Sequence, residues 1–157
     1  MGFLDWIENF PISIWVAQAP TLLAYPGIIT LHTIGMAMTV GPNAVIDLRI
    51  LGVGTRVPFS ALRGMFSVMV YGFILNAVTG VLLFMAAASH TGTQKVFYVK
   101  LVLILFALIV AARTKTALYG RGDSVQSAPP EARTLAIVSL LLWMAATTAG
   151  QIGRAHV

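Results

Sequence analysis

Four long apolar blocks, separated by short polar segments, dominate the pattern of hydrophobic and polar positions along this chain. A helix that crosses a lipid bilayer needs about 20 apolar residues, within a range of about 17 to 25. The first two blocks meet this length comfortably, the third just reaches it, and the fourth is short. The pattern therefore predicts four transmembrane helices, at about residues 22–45, 65–88, 96–112 and 135–149.

The segment before the first block is shorter and carries charge. Residues 1–20 contain Trp6, Phe10 and Trp15 together with two acids, a composition typical of an amphipathic helix in the membrane interface. We therefore predict an all-α integral membrane fold, a four-helix transmembrane bundle with an N-terminal interfacial amphipathic helix at residues 1–20. Residues 21–151 are expected to form a single transmembrane domain.

Composition agrees with a membrane protein and excludes several kinds of site. The chain is 58% hydrophobic and 10% charged, whereas soluble domains carry about 25% charged residues. The net charge is +5, but the basic residues form no run of the kind that binds nucleic acid. We therefore expect the lipid bilayer as a partner and no nucleic acid. The absence of cysteine from the sequence excludes disulfides, iron–sulfur clusters and thiolate zinc sites.

The basic residues are unequally divided between the two ends of the predicted helices. The connections that would share one side hold seven of them, and the opposite connection holds Lys95 and Lys100. The positive-inside rule places the larger group in the cytoplasm, so both termini would lie outside. We expect a multi-pass protein of the bacterial inner membrane with periplasmic termini. The larger group comprises Arg49, Arg56, Arg63, Arg113, Lys115, Arg121 and Arg133.

The last six residues, IGRAHV at 152–157, interrupt an apolar segment with polar residues. They match the translation of one reading frame of a widely used sequencing adapter. Our hypothesis is that residues 152–157 are translated adapter and that the natural chain continues beyond Gln151, which would account for the short fourth block. The alternative is a genuine polar tail. In either case His156 is not treated as a site.

His32 is the ionisable residue in the middle of the first predicted helix. Residues of this kind are expensive in lipid and commonly functional. Asn76 should lie at a similar depth in the second helix, whereas His90 should lie about 15 Å away along the membrane normal, too far to ligate the same metal. Two interpretations of His32 remain open: a neutral imidazole that hydrogen-bonds Asn76, Thr79 or a backbone carbonyl, and a cofactor-binding or proton-handling group.

Small residues recur on one face of the second predicted helix. Their spacing of four or eight residues predicts close packing against another helix, with Asn76 bonding across the contact. We expect two glycines of the first helix to act similarly. The residues concerned are Gly64, Gly72, Asn76 and Gly80 on the second helix and Gly35 and Gly41 on the first.

Three charged residues flank the predicted helices. Asp47 and Arg49 lie two positions apart at the inner end of the first helix, and two such positions do not face each other on a regular helix. We therefore expect each to bond another segment, or Arg49 to bond lipid phosphate, as an anchor at the interface. Lys100 lies one turn inside the third helix, from which its side chain can extend outward.

Four motifs together resemble an uncharacterised bacterial family of small four-helix membrane proteins, known by a domain-of-unknown-function label. They are LHTIGMAMTVGPNAVIDLRILG from Leu31, AVTGVLLF at 77–84, FYVKLVLI from Phe97 and SLLLWMAATTAGQ from Ser139. The family is distantly similar to b-type membrane cytochromes and copper-resistance D proteins, whose transmembrane histidines serve haem or metal. The shared positions that the resemblance implies are His32, Gly35, Gly41, Asp47, Arg49, Gly80 and Lys100.

One departure from the family bears on haem. Many relatives have a histidine near the end of the third helix, where this chain reads Ala112-Arg113-Thr114. A haem model with two histidines from the chain is weakened by that difference. A single histidine can still hold haem b with a different second ligand.

The favoured function is a non-catalytic or redox-associated membrane subunit, and the sequence leaves its specific activity, enzymatic activity included, open. Two alternatives stay open: a b-type haem carrier that uses His32, with a non-histidine second ligand or an oligomeric partner, and a small transporter or metal-tolerance protein with His32 and Asn76 on its path. A homo-oligomer and a larger membrane complex are both compatible with the glycine-lined face.

Overall fold

A computed structural model describes residues 2–120 and 127–155, the last five by their backbone alone. Within these residues the chain forms helices and no strands. The helices are α1 (Phe3–Glu8), α2 (Pro11–Gln18), α3 (Tyr25–Ile50), α4 (Phe59–Met85), α5 (Ala88–Thr91), α6 (Lys95–Tyr119) and α7 (Pro130–Ala155). His156 and Val157, in the hexapeptide attributed above to adapter sequence, lie outside the described residues.

Four of these helices are long and apolar enough to cross a membrane: α3, α4, α6 and the Pro130–Gly150 part of α7. Few of their residues are buried within the protein, and large side chains such as Val78 and Leu105 are exposed, as expected where lipid surrounds the helices. The predicted all-α membrane fold is confirmed, and the protein is a multi-pass membrane protein.

The four spanning helices extend about one to two turns beyond the apolar blocks at the end that carries most of the basic residues. Arg49, Arg63 and Lys115 all lie in these extensions. A prediction from hydropathy alone places the end of a span where the charged residues begin. The helix continues because its backbone groups still need partners, which the next helical turn supplies.

The N-terminal segment forms two short helices where the sequence predicted one. Phe10 adopts an extended conformation and Pro11 is the first residue of α2, as expected because the residue before a proline is disfavoured in a helix. The Trp6 ring contacts the Phe3 ring on one side and the Phe10 ring on the other, and all three rings are exposed. Both helices thus present aromatic side chains outward.

The chain divides into two compact units, the first of which comprises residues 1–39 and 70–95. It contains α1, α2 and α5 with the beginning of α3 and the end of α4. Helix α1 packs on α5: the Glu8 carboxylate accepts hydrogen bonds from the Ser89 amide, at 3.2 Å, and from the Ser89 hydroxyl. A carboxylate at the first turn of a helix is favourable because the amides there lack helical partners.

The second unit comprises residues 40–69 and 96–157. Alanines on α6 and α7 let larger side chains of α3 and α4 pack closely against these helices. At the end of the core the Tyr119 hydroxyl donates a hydrogen bond of 2.7 Å to the Phe59 carbonyl, which joins the last residue of α6 to the first of α4. The core comprises Ile46, Ile50, Phe59, Leu62, Phe66, Met69, Ala111, Leu118, Ala132 and Ala136.

Replacing Tyr119 with phenylalanine removes this hydroxyl and leaves the ring in place. We expect Tyr119→Phe to lower the free energy of unfolding by about 1 kcal/mol, the net worth of one hydrogen bond. Thermal unfolding in mild detergent measures the effect. Tyr71→Phe is the control, because Tyr71 is 69% exposed on α4, and equal midpoints for the two variants would contradict the prediction.

Candidate functional site

His32 lies on α3 with its imidazole against α4, in the first unit. The ring Nδ1 is 3.0 Å from the backbone carbonyl oxygen of Asn76 and 3.1 Å from the hydroxyl of Thr79. A carbonyl oxygen only accepts hydrogen bonds, so Nδ1 must carry the proton in this contact. In a neutral imidazole of this tautomer the lone pair is on Nε2.

The same two helices are joined by a second, reciprocal hydrogen bond. The Asn76 side-chain amide donates to the backbone carbonyl of His32 at 2.8 Å. The Thr79 hydroxyl donates to the Leu75 carbonyl at 2.7 Å, which leaves its oxygen able to accept from the imidazole. The ring of His32 is therefore held by α4 at one edge while its own backbone is held by Asn76.

Glycines explain how the two helices come so close. A Cβ atom added at Gly35 would lie 2.7 Å from the backbone nitrogen of Asn76 and 2.9 Å from the backbone carbonyl oxygen of Gly72. One added at Gly72 would lie 2.6 Å from the Met38 Cβ, and one at Gly80 would lie 3.1 Å from Cε1 of His32. The backbones approach at Gly35 and Gly72, and the imidazole packs on the bare surface at Gly80.

Two other glycines with a predicted packing role are placed differently. A Cβ at Gly41 or Gly64 would meet no described atom within 4 Å. The glycine stripe of α4 therefore makes close contacts from Gly72 onward and is open at Gly64. The regular spacing of the stripe did not distinguish these positions, because spacing defines a face and not how close its neighbour lies.

A second polar cluster lies in the second unit and includes Asp47. The Asn43 amide donates to the Asp47 carboxyl at 2.6 Å and to the Ser139 hydroxyl at 2.7 Å. Ser139 also hydrogen-bonds the Asp47 side chain. All three residues are at least 97% buried. Asn43 and Asp47 lie one turn apart on α3, and Ser139 belongs to α7, so the cluster joins these two helices.

Neither Asn43 nor Ser139 was singled out from the sequence. The usable signal was the four-residue spacing of Asn43 and Asp47, which places both on one face of a helix. Ser139 carried no signal, because its α7 partner could not be known from spacing. One turn along α7, the Trp143 indole nitrogen is buried with no hydrogen-bond partner among the described residues.

Arg49 bonds the connection that follows its own helix. Its Nε donates to the Val57 carbonyl at 2.6 Å, and Nη2 donates to the Thr55 carbonyl at 3.2 Å. The guanidinium also lies 4.4 Å from the centre of the Phe59 ring. Gly52 has a positive φ of 101° within this turn, a conformation that glycine adopts without steric cost. Arg49 thus holds together the turn between α3 and α4.

The remaining predicted residues lie elsewhere. The Lys100 side chain runs along α7 at Gly150, whose added Cβ would be 3.5 Å from Nζ. The ring of His90 contacts the Gln94 amide at 3.3 Å on the exposed surface beside α5. Within the described residues, no three histidine, aspartate or glutamate side chains come together as metal ligands.

No protein-family model, curated protein or solved structure matches this chain. The family resemblance given by the motifs therefore rests on the sequence alone. The geometry alone therefore describes the site. It consists of one imidazole, protonated at Nδ1, between two closely packed spanning helices.

An alanine at Gly72 tests whether the close approach of α3 and α4 matters. We expect Gly72→Ala to destabilise the protein by about 1 to 3 kcal/mol, the usual effect of overpacking, because the Cβ would strike the backbone and Cβ of Met38. Gly64→Ala is the matched control on the same helix and should be neutral or stabilising by up to about 1 kcal/mol. Thermal unfolding in detergent distinguishes them, and equal destabilisation would refute the prediction.

The buried cluster makes a separate prediction at Ser139. Ser139→Ala removes a hydrogen-bond partner from both Asn43 and Asp47, and we expect a loss of about 1 to 3 kcal/mol in stability. Ser67→Ala, at an exposed position on α4, provides the control for a serine within a span. A Ser139 variant that unfolds at the same temperature as the Ser67 variant would show that the cluster contributes no stability.

Proposed function

We propose that this chain is a small redox-associated subunit of the bacterial inner membrane, without catalytic activity of its own, whose functional residue is His32. The observation that carries the proposal is the hydrogen bond from Nδ1 of His32 to the Asn76 carbonyl. It defines the tautomer of an imidazole about two turns from the start of the spanning helix α3. Membership of the four-helix family that the motifs resemble is part of the same proposal.

The geometry of His32 is the one that metal-binding histidines use. Such residues donate their second ring N–H to a carbonyl, carboxylate or water, which orients the ring and makes the other nitrogen a better ligand. Here the Asn76 carbonyl and the Thr79 hydroxyl are in place at Nδ1. They would hold the proton on Nδ1 and restrict the rotation of the ring.

Haem b is the specific cofactor that we favour, and the residues around His32 could supply one ligand to it. Nε2 of His32 would be the ligand, Asn76 and Thr79 would orient the ring, and the absent side chain of Gly80 leaves room for the imidazole against α4. Haem supplies one-electron transfer when bound. The second ligand would be a non-histidine residue or a group from an oligomeric partner.

The close helix contact favours this proposal over a transport path. A path between α3 and α4 would need space beside His32 and Asn76, but the Asn76 amide is engaged by the His32 carbonyl. At Gly35 and Gly72 the backbones are too close to accept even a methyl group without displacement. Transport along this face would require the two helices to separate.

The orientation in the membrane belongs to the proposal as well. Among the described residues, six basic ones lie at one end of the spans, against Lys95 and Lys100 at the other. The positive-inside rule then supports a cytoplasmic connection between α3 and α4 and periplasmic termini. With that orientation α1, α2 and α5 would lie at the periplasmic surface.

The visible spectrum of protein purified from haem-replete cells tests the proposal. We expect a Soret band that His32→Ala abolishes, because the variant lacks the imidazole that would hold the haem. His90→Ala is the control, since that imidazole contacts only Gln94 among the hydrogen bonds described for it, and it should keep the band. A colourless wild-type preparation, or a band that survives in the folded His32 variant, would overturn the haem assignment.

A further inference from the structure

Two cations at one end of the second unit each lie over an aromatic ring of the opposite helix. The guanidinium of Arg63, on α4, is 5.9 Å from the centre of the Tyr119 ring on α6. The ammonium of Lys115, on α6, is 5.8 Å from the centre of the Phe66 ring on α4. Both distances are within the range of cation–π attraction, about 6 Å.

The two rings also contact each other, so the four side chains form one group. The Phe66 and Tyr119 rings meet edge to face, with centres 6.0 Å apart and planes at 88°. Since each cation lies over the ring of the other helix, α4 and α6 hold both charges beside the same aromatic pair. Arg63 and Lys115 are themselves exposed.

The group lies near one end of two spanning helices. Phe59 begins α4 and Tyr119 ends α6, and a hydrogen bond joins them. Arg63 and Lys115 each lie four residues inside that pair, about 6 Å along the helix. Both charges are therefore one turn from the end of a spanning helix, where the lipid headgroups are expected to lie.

The excess of basic over acidic side chains at this end of the spans favours the binding of an anion. Among the described residues, six basic side chains lie at this end of the spans, and residues 40–69 and 96–157 contain three acids in all. Of those acids, Asp47 is buried in its cluster with Asn43 and Ser139, Glu131 is in the first turn of α7, and Asp123 lies outside the described residues. An excess of basic charge at the membrane surface attracts anionic lipid headgroups.

We propose that Arg63 and Lys115, with the Phe66–Tyr119 pair between them, form a binding site for the phosphate of an anionic glycerophospholipid. Guanidinium and ammonium groups both donate hydrogen bonds to phosphate, and arginine does so with two parallel donors. The buried Phe66 ring and the partly buried Tyr119 ring hold the two cations in place at this end of the helices. The site is independent of His32 and of any cofactor there.

Native mass spectrometry of the full chain in detergent, titrated with phosphatidylglycerol or phosphatidylcholine, tests the site. We expect the wild type to bind phosphatidylglycerol more tightly than phosphatidylcholine. The double variant Arg63→Gln/Lys115→Gln should bind it more than about tenfold more weakly, and each single variant about fivefold more weakly, as the loss of one surface cation each implies.

The control is Arg56→Gln/Arg133→Gln, which removes the same charge from two other exposed arginines at this end. It should keep most of the preference for phosphatidylglycerol. An equal loss in both double variants would show general attraction to the basic end and overturn the proposal, as would a wild type that binds the two lipids equally. The single variants decide the outcome if the Arg63/Lys115 double variant does not fold.

Discussion

The close backbone contact between α3 and α4 in the first unit is the constraint on which the His32 site depends. Gly35 and Gly72 bring the two helices together at a distance that excludes even a Cβ atom. His32 lies one turn before Gly35, and Asn76 lies one turn after Gly72, so the contact places these residues at the same height in antiparallel helices. The hydrogen bonds between them follow from that register.

Polar side chains within the spans solve the same physical problem in two ways. In an apolar environment an unsatisfied donor or acceptor is costly, so each buried polar group must find a partner in the protein. His32 uses a carbonyl and a hydroxyl of the neighbouring helix. Asp47 uses an amide from its own helix and a hydroxyl from α7. The first arrangement defines an imidazole tautomer, and the second joins two helices.

Three basic side chains near the ends of the helices each lie close to an aromatic ring. Arg49 bonds backbone carbonyls of the turn and lies over Phe59, while Arg63 and Lys115 lie over rings of each other's helices. The side chain of Arg49 is partly buried against the turn that it closes. Arg63 and Lys115 are exposed, so their side chains can reach a ligand outside the protein, as the proposed lipid site requires.

The amino-acid sequence by itself determined the number of spanning helices, because about 20 consecutive apolar residues have few alternatives to crossing a bilayer. It also indicated His32 and Asn76 at similar depth, since helix rise converts residue number into height. Only the tertiary structure decided that Gly35 and Gly72 touch while Gly41 and Gly64 face open space, and that Ser139 completes the cluster at Asp47. Spacing along one helix defines a face, but the distance to another helix depends on how the two pack, which is not a local property of either sequence.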